Sequence, residues 1–177
     1  MLNYLKDLSI HRAGWLLLLL SALALEGSAL YFQYGMDLAP CVMCIYERIA
    51  LFGIAVAGLI GLIAPRLLIL RLTALLIGLG SAVKGLLLAL KHVDYQLHPA
   101  PWNQCAYKAE FPHTLPLDQW FPAVFSPYGS CSDVVWELWG LSMAQWIAVI
   151  FAFYTLLFIL LLISQLKTTK KRRLLFK

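Results

Sequence analysis

Charge is what this chain has least of. Only 13% of its 177 residues are Asp, Glu, Lys or Arg, against 62% hydrophobic ones, and that balance excludes an ordinary soluble domain. Cysteine is limited to four residues. No C-x-x-C-H haem motif and no nucleotide-binding motif occurs, and there is no internal repeat or second domain. A second close cysteine knuckle is also missing: Cys41 and Cys44 form one C-x-x-C, whereas Cys105 and Cys131 are separated by twenty-five intervening residues. That spacing argues against a zinc site built from all four cysteines, whose usual signature is two close knuckles.

The chain instead has long apolar runs, each of the length that a membrane-spanning helix needs. Four spans are expected, at about 14–32, 45–64, 67–90 and 143–163. They are joined by a loop at about 33–44, a tight turn at Pro65-Arg66 and a long loop at about 91–142. A single integral membrane domain over 1–177 accounts for everything. The expected fold class is all-α, a four-helix transmembrane bundle whose long outer loop carries a short amphipathic interfacial helix. The first run resembles a secretory signal, with Ala22-Leu23-Ala24 as a mock cleavage site. It is longer than a signal core, so a retained span is expected.

Lys6, Arg12, Arg66, Arg71, Lys167, Lys170, Lys171, Arg172, Arg173 and Lys177 all fall on one side of a four-span bundle. By the positive-inside rule that side is cytoplasmic, with both termini, and all four cysteines face out. The basic tail reads as a stop-transfer anchor on anionic lipid and not as a nucleic-acid site. In bacteria the outward face is oxidising, so disulfides persist there. A structural staple is credible for Cys105–Cys131. It is a poor reading for Cys41–Cys44, because a bridge across two residues closes almost no loop and stabilises little. Reversible thiol–disulfide chemistry suits that pair better.

Cys44 lies at the first turn of the second span, where unpaired N–H groups and the positive end of the helix dipole favour a thiolate. Arg48 follows at i+4 on the same face, at headgroup depth, where an apolar electron carrier dissolved in the bilayer would arrive. A snorkelling Arg48, or one paired with Glu47, is the bland alternative.

Taken together, Pro40-Cys41-Val42-Met43-Cys44-Ile45-Tyr46-Glu47-Arg48, Leu23-Ala24-Leu25-Glu26 and Leu115-Pro116-Leu117-Asp118-Gln119-Trp120 resemble the disulfide bond formation protein B family. These are bacterial inner-membrane, quinone-linked thiol oxidases, and the resemblance covers essentially the whole chain. It implies a protein-disulfide:quinone oxidoreductase that reoxidises a periplasmic thioredoxin-like oxidase (DsbA type) and passes electrons to ubiquinone or menaquinone, without metal, haem or nucleotide. Carried over by position, Cys105 meets the partner's thiolate and Cys131 completes that pair. Cys41–Cys44 receives the electrons, Cys44 faces the quinone, and Arg48 and His92 bind it. An oxidase of that type is itself strongly oxidising, so an ordinary structural disulfide could not regenerate it, and a strong terminal acceptor must pull the relay. Two other classes remain open: a reductant relay of the vitamin K epoxide reductase type, and a non-catalytic membrane subunit with structural disulfides.

Six of the eight prolines (Pro99, Pro101, Pro112, Pro116, Pro122 and Pro127) lie in the long loop. Proline biases itself and its predecessor towards extended backbone, so residues 98–106 are expected to form an extended docking strand that offers Cys105 to the partner. Trp120, Phe121, Val124 and Phe125 recur at helical spacing beside Asp118 and Gln119, which predicts the interfacial helix. Trp136, Trp139 and Trp146 extend an aromatic belt. Glu26 and Lys84 stand roughly 18 and 25 Å along their outward-running spans, and intramembrane charges usually pair, so these two are expected to share a contact or a polar network.

Overall fold

The computed structural model describes residues 2–100, 102, 103, 105, 106 and 117–166. The basic tail beyond Leu166, Leu115-Pro116 of the loop motif, and Pro101 and Gln104 of the expected docking strand lie outside the described residues. In chain order the elements are α1 (Leu2–Ile10), α2 (Arg12–Gly35), α3 (Val42–Ile63), α4 (Leu68–Leu97), α5 (Leu117–Trp120), α6 (Pro122–Phe125), a hairpin of β1 (Glu137–Leu138) and β2 (Leu141–Ser142), and α7 (Met143–Leu166). Four of them, α2, α3, α4 and α7, are long and apolar enough to cross a membrane, in agreement with the all-α bundle expected from the sequence. At 30 residues α4 is the longest; at about 45 Å it outruns a hydrocarbon core of about 30 Å and carries its last turns beyond it.

Between spanning helices there is little hydrophobic drive to associate, so close packing has to hold the bundle together, and small residues make that possible. A Cβ on Gly78 would fall 2.2 Å from the ring of Phe158, and one on Gly85 2.2 Å from that of Phe151. The two rings on α7 and the two glycines on α4 share a seven-residue spacing, so the antiparallel helices mesh twice on one face. Gly61 of α3 receives Trp15 of α2 in the same way, at 2.1 Å. Phe151 and Phe158 are fully buried, among Ala22, Ala74, Ala82 and Ala89.

The N-terminal segment is more than a basic tail. Helix α1 folds back beside α2 and α7, held where Trp15 Nε1 donates to the Ser9 carbonyl at 2.8 Å and Gln165 Nε2 donates to Ser9 Oγ at 3.1 Å. Gly14 allows the return, since a Cβ there would sit 2.5 Å from the Leu8 carbonyl oxygen. At the other end, Ser142 and Gln145 cap α7 reciprocally: Ser142 N–H donates to Gln145 Oε1 at 2.9 Å, and Gln145 N–H donates to Ser142 Oγ at 3.4 Å. The hairpin just before it turns on Trp139 (φ 53°) and Gly140 (φ 77°), the pair of positive φ values that a two-residue turn with matching twist requires.

Two expectations need correction. The interfacial helix is not continuous but consists of two single turns, α5 and α6, separated at Phe121. Pro122 opens the second turn and disfavours helical backbone at the residue before it. The stretch around Ala100 is not extended throughout either. Asn103 N–H donates to the Ala100 carbonyl at 2.9 Å, which closes a turn there.

Candidate redox site

Helix α3 begins where Pro40 hands over to Cys41, the N-cap residue in extended backbone. Cys41 Sγ accepts the Cys44 N–H at 3.2 Å. The free N–H expected to serve Cys44 therefore goes to Cys41. The two sulfurs are 2.6 Å apart and unbonded. Cys41 is buried and Cys44 half-buried.

On one side of the pair, Cys44 and Arg48 border a cavity of about 460 Å³. It opens where α2 and α7 part, above their Ser21–Tyr154 hydroxyl contact of 2.9 Å. Phe32, Trp136, Trp139, Trp146, Ile147 and Phe151 are among its walls. The expected aromatic belt is thus in large part the lining of this cavity, with Phe32 and Trp136 stacked obliquely at 5.2 Å and Trp139 and Trp146 at 6.0 Å.

Arg48 is fixed by three groups. Its Nη1 donates to Gln33 Oε1 at 3.1 Å and to the Val124 carbonyl at 2.5 Å, and its Nε lies 3.6 Å from Glu26 Oε2. The Glu26–Lys84 pairing is therefore overturned. Glu26 faces α3, whereas Lys84 is exposed beside Tyr46, Ile49 and Ser81 on another side of the bundle. Gln33 also donates through Nε2 to the Ala123 carbonyl at 2.8 Å, and Tyr34 donates its hydroxyl to the same oxygen. Gln33, Tyr34 and Arg48 together pin α6 to the outer parts of α2 and α3. Sequence reasoning passed over Gln33, although an amide at the outer end of an apolar helix was a signal.

His92 flanks the pair at Cys41, and its partner Glu47 also borders the cavity. His92 Nε2 is 3.5 Å from Cys41 Sγ, and its Nδ1 is 3.0 Å from Glu47 Oε1. Both residues are buried, at 3% and 2% exposure, so neither can trade its partner for water. His92 is not among the residues that border the cavity. It joins the sequence-identified group at Cys41 and not at Arg48. Glu47, considered from sequence only as a partner for Arg48, completes a Glu47–His92–Cys41 chain.

Cys105 and Cys131 are disulfide-bonded, with Cα atoms 6.1 Å apart. Cys131 shares one buried cluster with Cys41, Met43 and Tyr95, and Cys44 and Cys105 pack against it. Backbone contacts hold the loop there. The N–H groups of Tyr128 and Gly129 donate to the Pro40 carbonyl at 2.9 and 3.0 Å. The approach is close enough that a Cβ on Gly129 would lie 2.3 Å from the Ala39 carbonyl oxygen. All four cysteines, remote in sequence, are brought to one end of the bundle.

The chain is similar to known proteins over nearly all of its length. The family model described as disulfide bond formation protein DsbB matches residues 11–161. The chain is 63% identical over 177 residues to disulfide bond formation protein B of Histophilus somni (strain 129Pt), covering 100% of both. It is 64% identical over 178 residues to the protein of that name from Mannheimia succiniciproducens, again covering 100% of both. For Haemophilus influenzae (strain ATCC 51907 / DSM 11121 / KW20 / Rd) the identity is 54% over 176 residues, with 99% of each chain covered. With a C-x-x-C pair, a loop disulfide and four membrane-length helices on one scaffold, the chain belongs to the disulfide bond formation protein DsbB family.

Proposed function

We propose that this protein is a thiol oxidase that regenerates a periplasmic thioredoxin-like oxidase of the DsbA type and delivers the electrons, through two cysteine couples, to ubiquinone or menaquinone. The observation that carries this reading is the aromatic-walled cavity bounded by both Cys44 and Arg48. The fit to a quinone is good on two counts: the walls are apolar and aromatic enough for a lipid-soluble ring and tail, and a buried, positioned guanidinium can donate to a ring oxygen. Phe32, Trp136, Trp146 and Ile147 would hold it, and Arg48 would orient it. A bound quinone would supply an acceptor for two electrons and two protons beside Cys44.

The chain's own steps balance. A partner thiolate attacks Cys105 and displaces Cys131 as a thiolate, giving a mixed disulfide. The partner's second thiolate then releases Cys105, so the partner leaves oxidised and Cys105 and Cys131 are left as thiols. Exchange with a Cys41–Cys44 disulfide restores Cys105–Cys131 and moves the dithiol inward. Membership of one buried cluster by Cys41 and Cys131 supports a direct exchange. His92, beside Cys41 and steadied by Glu47, supplies a hydrogen-bond partner for the Cys41 sulfur as its bonding changes. Residues 98–106 would dock against the partner, with the exposed Trp102 and the Ala100–Asn103 turn near Cys105.

The same reading has both termini in the cytoplasm and the cysteines in the periplasm. Charge supports it, because Arg12, Arg66 and Arg71 stand at the ends of α2 and α4 remote from Cys41. The test is purified protein with a reduced thioredoxin-like partner. Oxidation of the partner should require added quinone and disappear in Cys44→Ser. Turnover that proceeds without quinone, or survives that substitution, would refute the proposal.

A further inference from the structure

Three metal-type donors converge on the inner couple. Cys41 Sγ, Cys44 Sγ and His92 Nε2 all lie within 4.8 Å of one another. Cys41 Sγ is 3.5 Å from His92 Nε2. A tetrahedral zinc ion, with bonds of about 2.3 Å to sulfur and about 2.0–2.1 Å to nitrogen, separates one ligand of each kind by about 3.5 Å. The same geometry sets two thiolates about 3.8 Å apart. The Cys44 sulfur, now 2.6 Å from Cys41, would have to swing outward by about 1 Å, and it borders the cavity that gives it room.

A second observation concerns what stands behind the donors. Glu47 is buried, its Oε1 bonded to His92 Nδ1 at 3.0 Å and its Oε2 without a hydrogen-bond partner among the described residues. A carboxylate on the far nitrogen of an imidazole is the usual support of a metal-ligating histidine. It fixes the tautomer whose lone pair points at the ion and raises ligand basicity. Burial also tolerates occupation, since a divalent ion that replaces two thiol protons adds no net charge to the site.

We propose that the dithiol form of Cys41–Cys44, with His92 as third ligand and Glu47 behind it, is a binding site for a thiophilic divalent cation of the zinc and cadmium class. Its occupation arrests the relay. Binding releases the two thiol protons and moves no electrons. A Cys41–Cys44 disulfide offers no thiolate, so the cation selects the reduced state and withholds its electrons from the acceptor. This site differs from the four-cysteine zinc site that the spacing argues against, because Cys105 and Cys131 take no part. It rests on the proposed function only in requiring that the inner couple pass through a dithiol.

The test uses full-length protein in lipid nanodiscs with Cys105→Ser and Cys131→Ser, reduced by a phosphine. Cadmium is titrated against the ultraviolet thiolate-to-metal charge-transfer band, and zinc against protection from maleimide alkylation. Neither readout needs the partner or a quinone, so failure here is distinct from failure of the oxidase reading. One ion per chain is expected, with both thiols protected together and released by a chelator. Glu47→Gln should weaken binding about 10–100-fold, and His92→Ala should weaken it further. The protein oxidised at Cys41–Cys44 should not bind. Mapping the protected cysteines in the chain with its loop cysteines intact guards against a folding defect of the double serine variant. An affinity unchanged by either substitution, equal binding by the oxidised form, or protection of only one thiol would overturn the site.

Discussion

Removing the Glu26 carboxylate from beside Arg48 should cost far more than its position on an apolar helix suggests, and most of that cost should vanish when Arg48 goes too. The pair is 3.6 Å apart, with side-chain exposures of 4% and 6%. At an effective dielectric of 20, the gross attraction at this distance is about 4–5 kcal/mol. Stranding one partner of such a pair typically costs about 3–5 kcal/mol. Arg48 keeps Gln33 and the Val124 carbonyl in Glu26→Gln, which puts that variant at the low end, about 3 kcal/mol. Arg48→Met also loses those two bonds and should cost about 4 kcal/mol. In the double variant no charge is left stranded, so its cost should stay near that of Arg48→Met alone, a coupling of about 2–3 kcal/mol. The loss of Gln33 and Val124 as partners occurs in both Arg48 variants and cancels from the cycle. Reversible unfolding in mixed micelles, followed by circular dichroism, measures all four corners. Additivity within about 0.5 kcal/mol would show the contact to be energetically empty. Lys84→Met combined with Glu26→Gln serves as the control and should be additive.

Two further outcomes follow from close approaches of glycine. Gly129→Ala would push a methyl group to 2.3 Å from the Ala39 carbonyl oxygen, forcing the Tyr128–Gly129 segment off Pro40. Losing two hydrogen bonds of about 1 kcal/mol each should slow exchange between the couples about tenfold or more. Quenched-flow trapping of the four thiols reads that rate, and an unaltered rate at unaltered thermal stability would dismiss the anchor. Gly85→Ala would drive a methyl group to 2.2 Å from the buried Phe151 ring and should destabilise the bundle by about 1–3 kcal/mol. Phe151→Leu in the same chain should recover part of the loss, and a melting temperature indifferent to both changes would contradict the meshing of α4 with α7.

What could be read from the sequence was whatever depends on one helix at a time. Span number, the grouping of the cysteines at one end of the bundle and the position of Arg48 one turn below Cys44 need only length, charge and a repeat of 3.6 residues. The partner of Glu26 needs the rotational phase of two helices, and that phase is set by packing. Once Phe151 and Phe158 seat on Gly85 and Gly78, α4 has no freedom to turn. Lys84 precedes Gly85 by about 100° of helix and is carried away from Glu26 on α2. His92 shows the same limit. Its depth agreed with either side of Cys41–Cys44, and only the rotation that buries Ala82, Gly85 and Ala89 decides that it meets Cys41 and Glu47. The hairpin at Trp139-Gly140 was missed for a different reason, since its two-residue strands are too short to carry an alternating pattern.

On the proposed function, the placement of the outer couple would let one fold run two exchanges without mixing them. A disulfide on a long loop would meet an inner couple rarely if chain entropy alone governed the encounter. Here the loop is tied down next to the reacting residues. The bonds from Tyr128 and Gly129 end on Pro40, the residue before Cys41, and begin three and two residues before Cys131. Closure is therefore borne by the backbone before any sulfur reacts, which leaves orientation as the remaining barrier. Among the described residues, Cys105 is held through its bond to Cys131 and its packing against the cluster of Cys41, Met43, Tyr95 and Cys131. Cleavage of that disulfide by an incoming thiolate would leave Cys131 anchored beside Cys41 and Cys105 free to stay with the partner. In the proposed relay, the division of labour between the two loop cysteines would follow from the restraint that the Pro40 anchor places on the Cys131 side.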